Sequence, residues 1–548
     1  MPLTPFSRPS FGHPPAIHLG WVILLCAAWV LFSLVGHDPW KPDEAYSFGL
    51  VYSILQNHDW VVPMLAGEPF MEKPPLYYLT AAGFARLFSG WLPLHDGARL
   101  ASGFYMGLTL LFSALTAREL WGKGYGRLTA LILISCLGLL VRTHQLITDT
   151  ALLAGFTIAF YGLALAPRRL VIGGVAIGMG TGIGFMSKGL LAPGTIAITA
   201  LLLPLAFPAW RTRQYLASLA IAFTVALPWL TIWPYLLYQR APQLFSEWLL
   251  VNNMGRFIGT AHLSDSHEPA YYLRMLPWFA WPTLPLALWT LWHQGWSAWR
   301  KPYIALPLTL FLVTLSILSA ASEGHDVYAL PLLPPLAVLG AAAVESLRRG
   351  AANALDWFSV MTFSLIAAVL WVAWYATLTG HPAELARKFD QLQPGYITHL
   401  DWPALFLALV LSLAWLTVVV RMERGALRAI VNSALGITLV WGLLATIWLP
   451  WLDAGKSYRA MFASMRQAMP LQYDCLASRN LGEPQRAMLH YFTGIISERE
   501  ESYQPHCSLL LAQGSPQSIK PPGPNWRILW EGQRLGDNSE WFALFQKK

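Results

Sequence analysis

Thirteen mostly apolar segments follow one another along residues 1–449 of this 548-residue chain. Each is close to the ~20 residues that a helix needs to cross a bilayer. Only 12% of the residues are charged, against about 25% in soluble domains. The sequence therefore predicts a multi-span α-helical membrane protein of about 13 transmembrane helices. The predicted spans are 17–36, 97–117, 125–141, 150–167, 170–186, 189–207, 214–237, 271–291, 303–320, 327–346, 354–378, 402–420 and 429–449.

The basic residues of the short loops predict the orientation in the membrane. Lysines and arginines concentrate in alternate loops, which the positive-inside rule places in the cytoplasm. This puts the N-terminus inside and, after an odd number of spans, residues 450–548 outside. The net charge of +8 is then largely a topology signal, and we expect no nucleic-acid partner. The basic residues concerned are Arg118, Lys123, Arg127, Arg168, Arg169, Arg211, Arg213, Arg300, Lys301, Arg348, Arg349, Arg421, Arg424 and Arg428.

Three regions are too long and polar to be simple turns: the first outer loop 37–96, a second outer loop 238–270 and the C-terminal segment 450–548. In the first loop we expect two amphipathic surface helices, because apolar residues recur at helical spacing from Phe48 to Leu55 and again over 76–88.

The C-terminal segment predicts a small α/β domain. Helices are expected near 456–468 and 484–496, and strands at 507–512, 526–531 and 540–545. Cys475 and Cys507 both fall in this outer segment, where a disulfide is chemically permitted. Two free thiols are the alternative, because a sequence does not show whether two cysteines are close together.

The first outer loop carries the densest charge of the chain. Asp43 and Glu44 form an acid pair that can supply a general base or an electrostatic partner for a polar acceptor. Lys73, in "MEKPP", can hold a phosphate at the headgroup level, and the two following prolines restrict where it points. The alternative readings are a solvated acid pair and a lysine that snorkels beside Glu72.

Other outer junctions add further candidates. "FMSKGLLAPG" places Lys188 between two spans, and "ASEGHDVYALPLLPPL" places His325 and Tyr328 before another. Glu72, His267 and His325 could form a polar site or hold a divalent metal, although solvated loop residues are the alternative. No cofactor is certain. The absence of a phosphate-binding G-x-x-x-x-G-K-[ST] motif gives no sign of ATP use.

These motifs, in this order, resemble the GT-C glycosyltransferases. The Asp-Glu after the first span, "MEKPPLYYLTA", "SKGLLAPG", "HEPAYYL" and "YALPLLPPLAVL" are similar to the branch containing the bacterial aminoarabinose transferases of lipid A (ArnT), akin to the protein O-mannosyltransferases. The resemblance covers roughly residues 17–346, together with the span count and an outer C-terminal domain. It implies a GT-C architecture with a transmembrane domain at 1–449 and a periplasmic α/β domain at 450–548.

The resemblance also implies a function. The family transfers a sugar from a polyprenyl (undecaprenyl) phosphate donor to an envelope acceptor such as lipid A, another glycan or a protein, on the periplasmic face of the inner membrane. Asp43 is then the catalytic candidate, with Glu44 beside it, and Lys73 and Tyr328 are expected at the donor phosphate.

The chain departs from the family pattern at three places. Tyr46 stands where the family has the arginine of Asp-Glu-x-Arg, and His325 stands near a position that is often lysine. The usual His-x-x-Pro is shortened to His267-Glu268-Pro269. Cations elsewhere could replace the missing phosphate-binding charge, namely Arg142, Lys188, Arg256 and Arg274. The sugar and the acceptor stay open at this point. A multi-span lipid or solute transporter is the alternative function, and a non-catalytic membrane scaffold is the third.

Overall fold

The computed structural model describes residues 17–255, 258, 270–322, 324–503 and 506–548, and they form a mostly helical protein. Its α-helices are Leu19–Leu31, Asp43–Asn57, Leu76–Phe88, Leu94–Leu120, Tyr125–Ile134, Leu137–Leu140, Asp149–Leu165, Leu170–Lys188, Leu191–Ala206, Arg213–Arg240, Pro242–Ser246, Tyr271–Phe279, Thr283–Gln294, Pro302–Ala320, Leu333–Ala341, Ala343–Ser346, Arg349–Thr379, Ala383–Leu392, Trp402–Arg421, Ala426–Leu444, Leu449–Lys456, Arg459–Ala468, Glu483–Thr493 and Glu500–Tyr503. Short 3-10 helices occupy Arg142–His144, Pro208–Trp210, Trp296–Arg300 and Asp326–Leu332, and Glu247–Gly255 is a π-helix.

All thirteen predicted spans are helical over most of their length. Within the described ranges, eight helices are long and apolar enough to cross a membrane, and a ninth span results if the helices on either side of a 71° bend after Ile134 are joined. Three further apolar helices are shorter, and the predicted span 271–291 is divided at residues 280–282 into two helices. The multi-span helical prediction is confirmed, whereas the breaks that shorten several spans were not visible in the apolar pattern.

Glycines let two neighbouring membrane helices pack backbone to backbone. A Cβ on Gly155 would lie 2.6 Å from the carbonyl oxygen of Gly180, and one on Gly162 would lie 2.6 Å from the backbone nitrogen of Ile177. Small residues at helix crossings permit this close approach in membranes. Because helices Asp149–Leu165 and Leu170–Lys188 run antiparallel, the start of the first lies beside the end of the second.

The first outer loop contains both predicted helices. Leu76–Phe88 has the predicted limits, and strands Met64–Leu65 and Glu68–Pro69 form a short antiparallel hairpin before it. Helix Asp43–Asn57 is buried over most of its surface, since it packs against helices Leu76–Phe88 and Glu483–Thr493. A Cβ on Gly49 would lie 2.6 Å from Cβ of Ala487. The C-terminal domain therefore covers this amphipathic helix.

The C-terminal α/β domain has a five-stranded sheet. Its spatial order is Glu498–Arg499, Leu476–Arg479, Leu509–Gly514, Trp541–Lys547 and Trp526–Gly532. The first three strands are parallel, and the last two add antiparallel. The strands predicted at 507–512, 526–531 and 540–545 agree with this sheet, whereas the two N-terminal strands were not predicted. Cys475 and Cys507 form a disulfide, which settles the alternative that the sequence left open.

Ion pairs fasten the C-terminal domain to the first outer loop. Asp38 accepts a 2.9 Å hydrogen bond from Nε of Arg459, and Lys41 donates a 2.8 Å bond to Glu540. Arg486 pairs with Glu68 at 2.9 Å. The domain and the loop are therefore on the same side of the membrane.

Candidate functional site

A cavity of about 410 Å³ collects several of the outer-face residues that the sequence selected. We call it the donor cavity, because the family resemblance predicts a donor phosphate at Lys73 and Tyr328. Its polar lining includes Glu72, Lys73, Lys188 and Tyr328, and much of its remaining wall is apolar. The apolar part comes mainly from Leu190, Leu191, Ile198, Met254, Ile258, Ile317 and Leu318. Residues that are more than 250 positions apart in sequence thus form one chamber with a charged end and a hydrocarbon wall.

Lys73 is held in place by groups on two sides. Its Nζ donates a 2.6 Å hydrogen bond to the hydroxyl of Tyr46, and Oε1 of Glu72 lies at 3.7 Å. Burial disfavours the charge of Lys73, but Glu72 and Tyr46 outweigh it and raise the pKa of Lys73 well above its usual value. Lys73 is therefore an ammonium group that points into the cavity with a fixed direction.

Lys188 supplies a second cation at the same end. It forms an ion pair with Asp149, and its Nζ lies 3.9 Å from the centroid of the Tyr328 ring. The antiparallel helices described above cause this pairing, since Asp149 begins one and Lys188 ends the next. The cation-to-ring contact joins Lys188 to Tyr328, so that three elements of the fold meet at this point.

Asp43 lies at the N-terminus of helix Asp43–Asn57, one turn before Tyr46. Its carboxylate accepts a 3.3 Å hydrogen bond from Arg142, which also binds Asp326 at 2.9 Å. Asp326 in turn precedes Tyr328 by two residues. Asp43 is thus linked to residues of the donor cavity in two ways: Tyr46 of the same helix binds Lys73, and Arg142 joins Asp43 to Asp326. About a third of the Asp43 side chain is exposed.

Glu44 has a different environment from its neighbour. Its side chain is fully buried and accepts hydrogen bonds from Nε of Arg99 at 2.8 Å and from the backbone N–H of Leu146 at 3.0 Å. Burial opposes ionisation, but Arg99 and His37 outweigh it and keep the pKa of Glu44 below its usual value. This geometry supports a positioning role, in which Glu44 anchors the start of the helix that carries Asp43. The catalytic assignment of Glu44 stays a prediction.

The remaining candidates are only partly brought together. His325 is exposed, its ring packs edge-on against Tyr328, and its carbonyl accepts a bond from Tyr272. Arg256 and His267 lie outside the described residues, so the polar or metal site with Glu72 stays a prediction. Over the ranges that the structure describes, the one group of His, Cys, Asp and Glu with metal-like spacing is Cys475, Glu498 and Cys507, and its two sulfurs are already joined in the disulfide.

Several partners of the site residues were not predicted. Asp149 was not among the site residues predicted from the sequence, and Arg142 was only one of several cations that could add charge. The sequence did hold a signal for the first, because an acid that begins one span and a lysine that ends the next must meet when the two helices form a hairpin. The bond between Tyr46 and Lys73 had no comparable signal, since it depends on the path of the intervening loop.

The arrangement is suited to a lipid that carries a phosphate. Two ammonium groups and a tyrosine can bind phosphate oxygens through charge-assisted hydrogen bonds, while the leucine and isoleucine walls can shield a hydrocarbon tail from water. Glu72 and Asp149 neutralise the lysines before a ligand arrives. A nearby carboxylate, Asp43, stands outside the cavity where a second substrate could approach.

Comparison with known proteins gives relatives with one activity. No protein-family model matches the chain. It is 26% identical over 447 residues, 77% of its length and 71% of the relative's, to "undecaprenyl phosphate-alpha-4-amino-4-deoxy-L-arabinose arabinosyl transferase 2" of Pseudomonas fluorescens. It is 28% identical over 444 residues to the transferase of the same description from Pseudomonas paraeruginosa, which covers 78% of this chain and 75% of that one.

Solved structures give the same answer for the fold. ArnT from Cupriavidus metallidurans bound to undecaprenyl phosphate superposes with a TM-score of 0.69 at 16% identity, over 96% of this chain and 98% of that one. Its apo state gives 0.71 at 17% identity over the same shares. The chain therefore has the ArnT fold of the GT-C architecture, and the resemblance to the aminoarabinose transferases that its motifs indicated is confirmed.

Proposed function

We propose that this protein is an integral-membrane glycosyltransferase that moves a sugar from a polyprenyl phosphate, such as undecaprenyl phosphate, to an acceptor of the cell envelope. The observation that carries the proposal is the donor cavity, in which Lys73, Lys188 and Tyr328 line one end of a largely apolar chamber. The relatives are named for an undecaprenyl phosphate-linked aminoarabinose. A pentose of this kind is the sugar that the relatives favour, and lipid A is the acceptor that the family resemblance favours.

The donor phosphate is the leaving group in this reaction. The bond between the sugar's anomeric carbon and a phosphate oxygen breaks, and the polyprenyl phosphate keeps the electron pair. Lys73 and Lys188 stabilise the charge that grows on that oxygen, which is the kind of electrostatic help that lowers a barrier most. No nucleotide is required, because the energy of transfer is already stored in the lipid-linked sugar.

The acceptor attacks the anomeric carbon as the phosphate leaves. Asp43 orients the acceptor oxygen and takes its proton if it carries one, so that the new glycosidic bond forms without building positive charge on that oxygen. Arg142 fixes the carboxylate of Asp43, and Glu44 fixes the helix that carries it. The acidic surroundings of Arg142, with Asp43 and Asp326 sharing one guanidinium, also suit a sugar that bears an amino group.

We place the reaction on the outer face of a bacterial inner membrane. The basic loops support a cytoplasmic N-terminus, and the packing of the C-terminal domain against the first loop supports a common outer location for both. Residues 1–449 would then form the transmembrane catalytic domain, with periplasmic loops at 37–96 and 238–270, and residues 450–548 the periplasmic domain. Donor lipid, acceptor and surrounding membrane lipids are the expected partners.

A transporter is the weaker alternative. It accounts for many spans, but it gives no reason for a tethered C-terminal domain that covers the loop of Asp43. Purified protein in detergent, given a polyprenyl phosphate-linked aminoarabinose and lipid A, should yield glycosylated lipid A by mass spectrometry. Asp43→Asn is the matched negative control. Folded wild-type protein that binds the donor but forms no product with lipid A, glycan or protein acceptors would contradict the proposal.

A further inference from the structure

Two further cavities lie away from the donor cavity, on the side of the molecule that carries the C-terminal domain. Their volumes are about 270 and 430 Å³, and they adjoin at Gln393 and Trp451, which line both. We call the pair the polar groove. It is built where the connection between helices Arg349–Thr379 and Trp402–Arg421 meets the C-terminal domain. Neither the relatives' names nor the site described above gives it a role.

One end of the polar groove is positively charged. Lys41, Lys456 and Arg534 line it together with Asp537. Lys41 and Arg534 are paired with carboxylates of Asp537 and Glu540. Lys456 differs, because among the described residues no carboxylate pairs with its Nζ, which lies 4.4 Å from the ring centroid of Trp40.

Lys456 is therefore the cation that remains for a ligand. Burial lowers the pKa of Lys456, and Arg534 lowers it further, although Glu44 acts in the opposite direction. An anion placed beside Lys456 would relieve the repulsion between these two cations. This end of the groove is thus a place where a negative group would be stabilised.

The other end of the groove has the features of a sugar site. Aromatic side chains of Phe389, Tyr396 and Trp451 line it, and so do Asp390 and Arg387. Aromatic faces pack against the apolar faces of sugar rings, while a few placed polar groups fix the hydroxyls.

Gln393 lies at the junction of the two ends and is 6% exposed. Its Nε2 donates a 3.0 Å bond to the carbonyl of Trp451, whereas its Oε1 has no hydrogen-bond partner within the part of the chain that the structure describes. A buried amide oxygen ordinarily finds a donor. A sugar hydroxyl, directly or through a water, is a donor of the right kind.

The groove adjoins the start of the helix that carries Asp43. Lys41 precedes Asp43 by two residues, and Trp40, which contacts Lys456, donates its backbone N–H to Glu44 at 3.4 Å. A molecule that occupies the groove with its anionic group at Lys456 would therefore lie beside the start of the helix that carries Asp43, the residue that we assign to the acceptor.

We propose that the polar groove binds a sugar carrying an anionic group, with the ring against Tyr396 and Trp451 and the anion at Lys456, and that it thereby holds the acceptor beside Asp43. The assignment to the acceptor rests on the proposed function. The binding itself does not, because it requires neither donor nor turnover. Phosphate and carboxylate share the chemistry that Lys456 recognises, and the experiment separates them.

The test is direct binding to the full-length protein in detergent without donor, measured by isothermal titration calorimetry. The probes are glucosamine 1-phosphate and glucuronate, with glucosamine and inorganic phosphate as fragments. We expect an anionic sugar to bind more tightly than either fragment. Lys456→Ala should weaken binding about tenfold, since hydrogen bonds to charged groups contribute about 1.5–3 kcal/mol. Tyr396→Ala should weaken it as well.

Lys388→Ala is the matched control, because Lys388 is an exposed cation on helix Ala383–Leu392 that does not line the groove. Equal affinity for wild type and Lys456→Ala, or an equal loss in Lys388→Ala, would overturn the proposal. If the wild type transfers sugar but binds no probe, the proposed groove site is refuted and the proposed function is kept. If Lys456→Ala weakens probe binding in a protein that transfers no sugar, the proposed function is refuted and the groove site is kept.

Discussion

Replacing Lys73 with methionine is the sharpest test of the donor cavity. Methionine keeps an unbranched side chain, one atom shorter than that of lysine, and removes the charge. In the structure Lys73 contacts Tyr46 at 2.6 Å and Glu72 at 3.7 Å, and it lines the cavity together with Lys188. The substitution therefore removes one of two cations from the phosphate end while leaving the apolar wall unchanged.

The magnitude follows from the loss of one charge-assisted hydrogen bond. Such a bond contributes about 1.5–3 kcal/mol, which is about 10- to 150-fold in Kd. We expect undecaprenyl phosphate to bind Lys73→Met more weakly by a factor in this range. Turnover should fall further than binding, because the phosphate carries more charge on its bridging oxygen in the transition state than in the bound donor.

Tyr46→Phe separates the charge of Lys73 from its orientation. It removes the 2.6 Å hydrogen bond but keeps the ammonium group, so we expect about a fivefold loss of donor affinity, in line with a neutral partner's contribution of ~1 kcal/mol. Binding would be measured by calorimetry with undecaprenyl phosphate, and folding by the thermal unfolding midpoint. A stable Lys73→Met protein with wild-type donor affinity would refute the assignment of the phosphate to this end of the cavity.

The other predictions concern catalysis, stability and topology. Asp43→Asn should reduce sugar transfer by about 10²–10⁴ with donor binding and melting temperature nearly unchanged, and near-normal transfer would exclude an essential base. Glu44→Gln should instead destabilise the fold by about 1.5–3 kcal/mol, because it removes one of the two carboxylates that pair with the buried Arg99 and leaves Asp96 as the other; an unchanged unfolding midpoint would contradict that role. Reduction of the disulfide, which spans 32 positions, should cost the C-terminal domain about 3–4 kcal/mol in stability, to be read from denaturant unfolding with and without reductant. A membrane-impermeant thiol reagent should label a single cysteine at position 520 in intact cells and spare one at 349, and the reverse pattern would invert the orientation.

Much of the fold was predictable because apolar length and helical period are local properties. Every predicted span is helical, and Leu76–Phe88 was given with its observed limits. The surroundings of helix Asp43–Asn57 were not predictable in this way. An amphipathic pattern shows that a helix has an apolar face, but lipid and protein cover such a face equally well. Here the cover comes from Glu483–Thr493, more than 400 residues away in sequence.

The motifs selected several residues of the candidate site, but they did not predict how these residues connect. The motifs selected Lys73, Lys188 and Tyr328, and all three line one cavity. They did not distinguish Asp43 from Glu44, since two acids side by side look alike in a sequence. On a helix the two side chains diverge by about 100°, so that one reaches Arg142 near the surface and the other is buried against Arg99.

The charge balance of the donor cavity indicates where donor affinity comes from. Each lysine already has a carboxylate partner, Glu72 for Lys73 and Asp149 for Lys188. These acids offset the cost of burying two ammonium groups, but they also reduce the net attraction for a phosphate. Affinity must then come largely from the apolar wall, at about 0.8 kcal/mol for each buried CH₂ group. On the proposed function, the tail therefore supplies most of the donor affinity. The lysines also add to donor binding, and they contribute most as the sugar leaves and the phosphate charge increases.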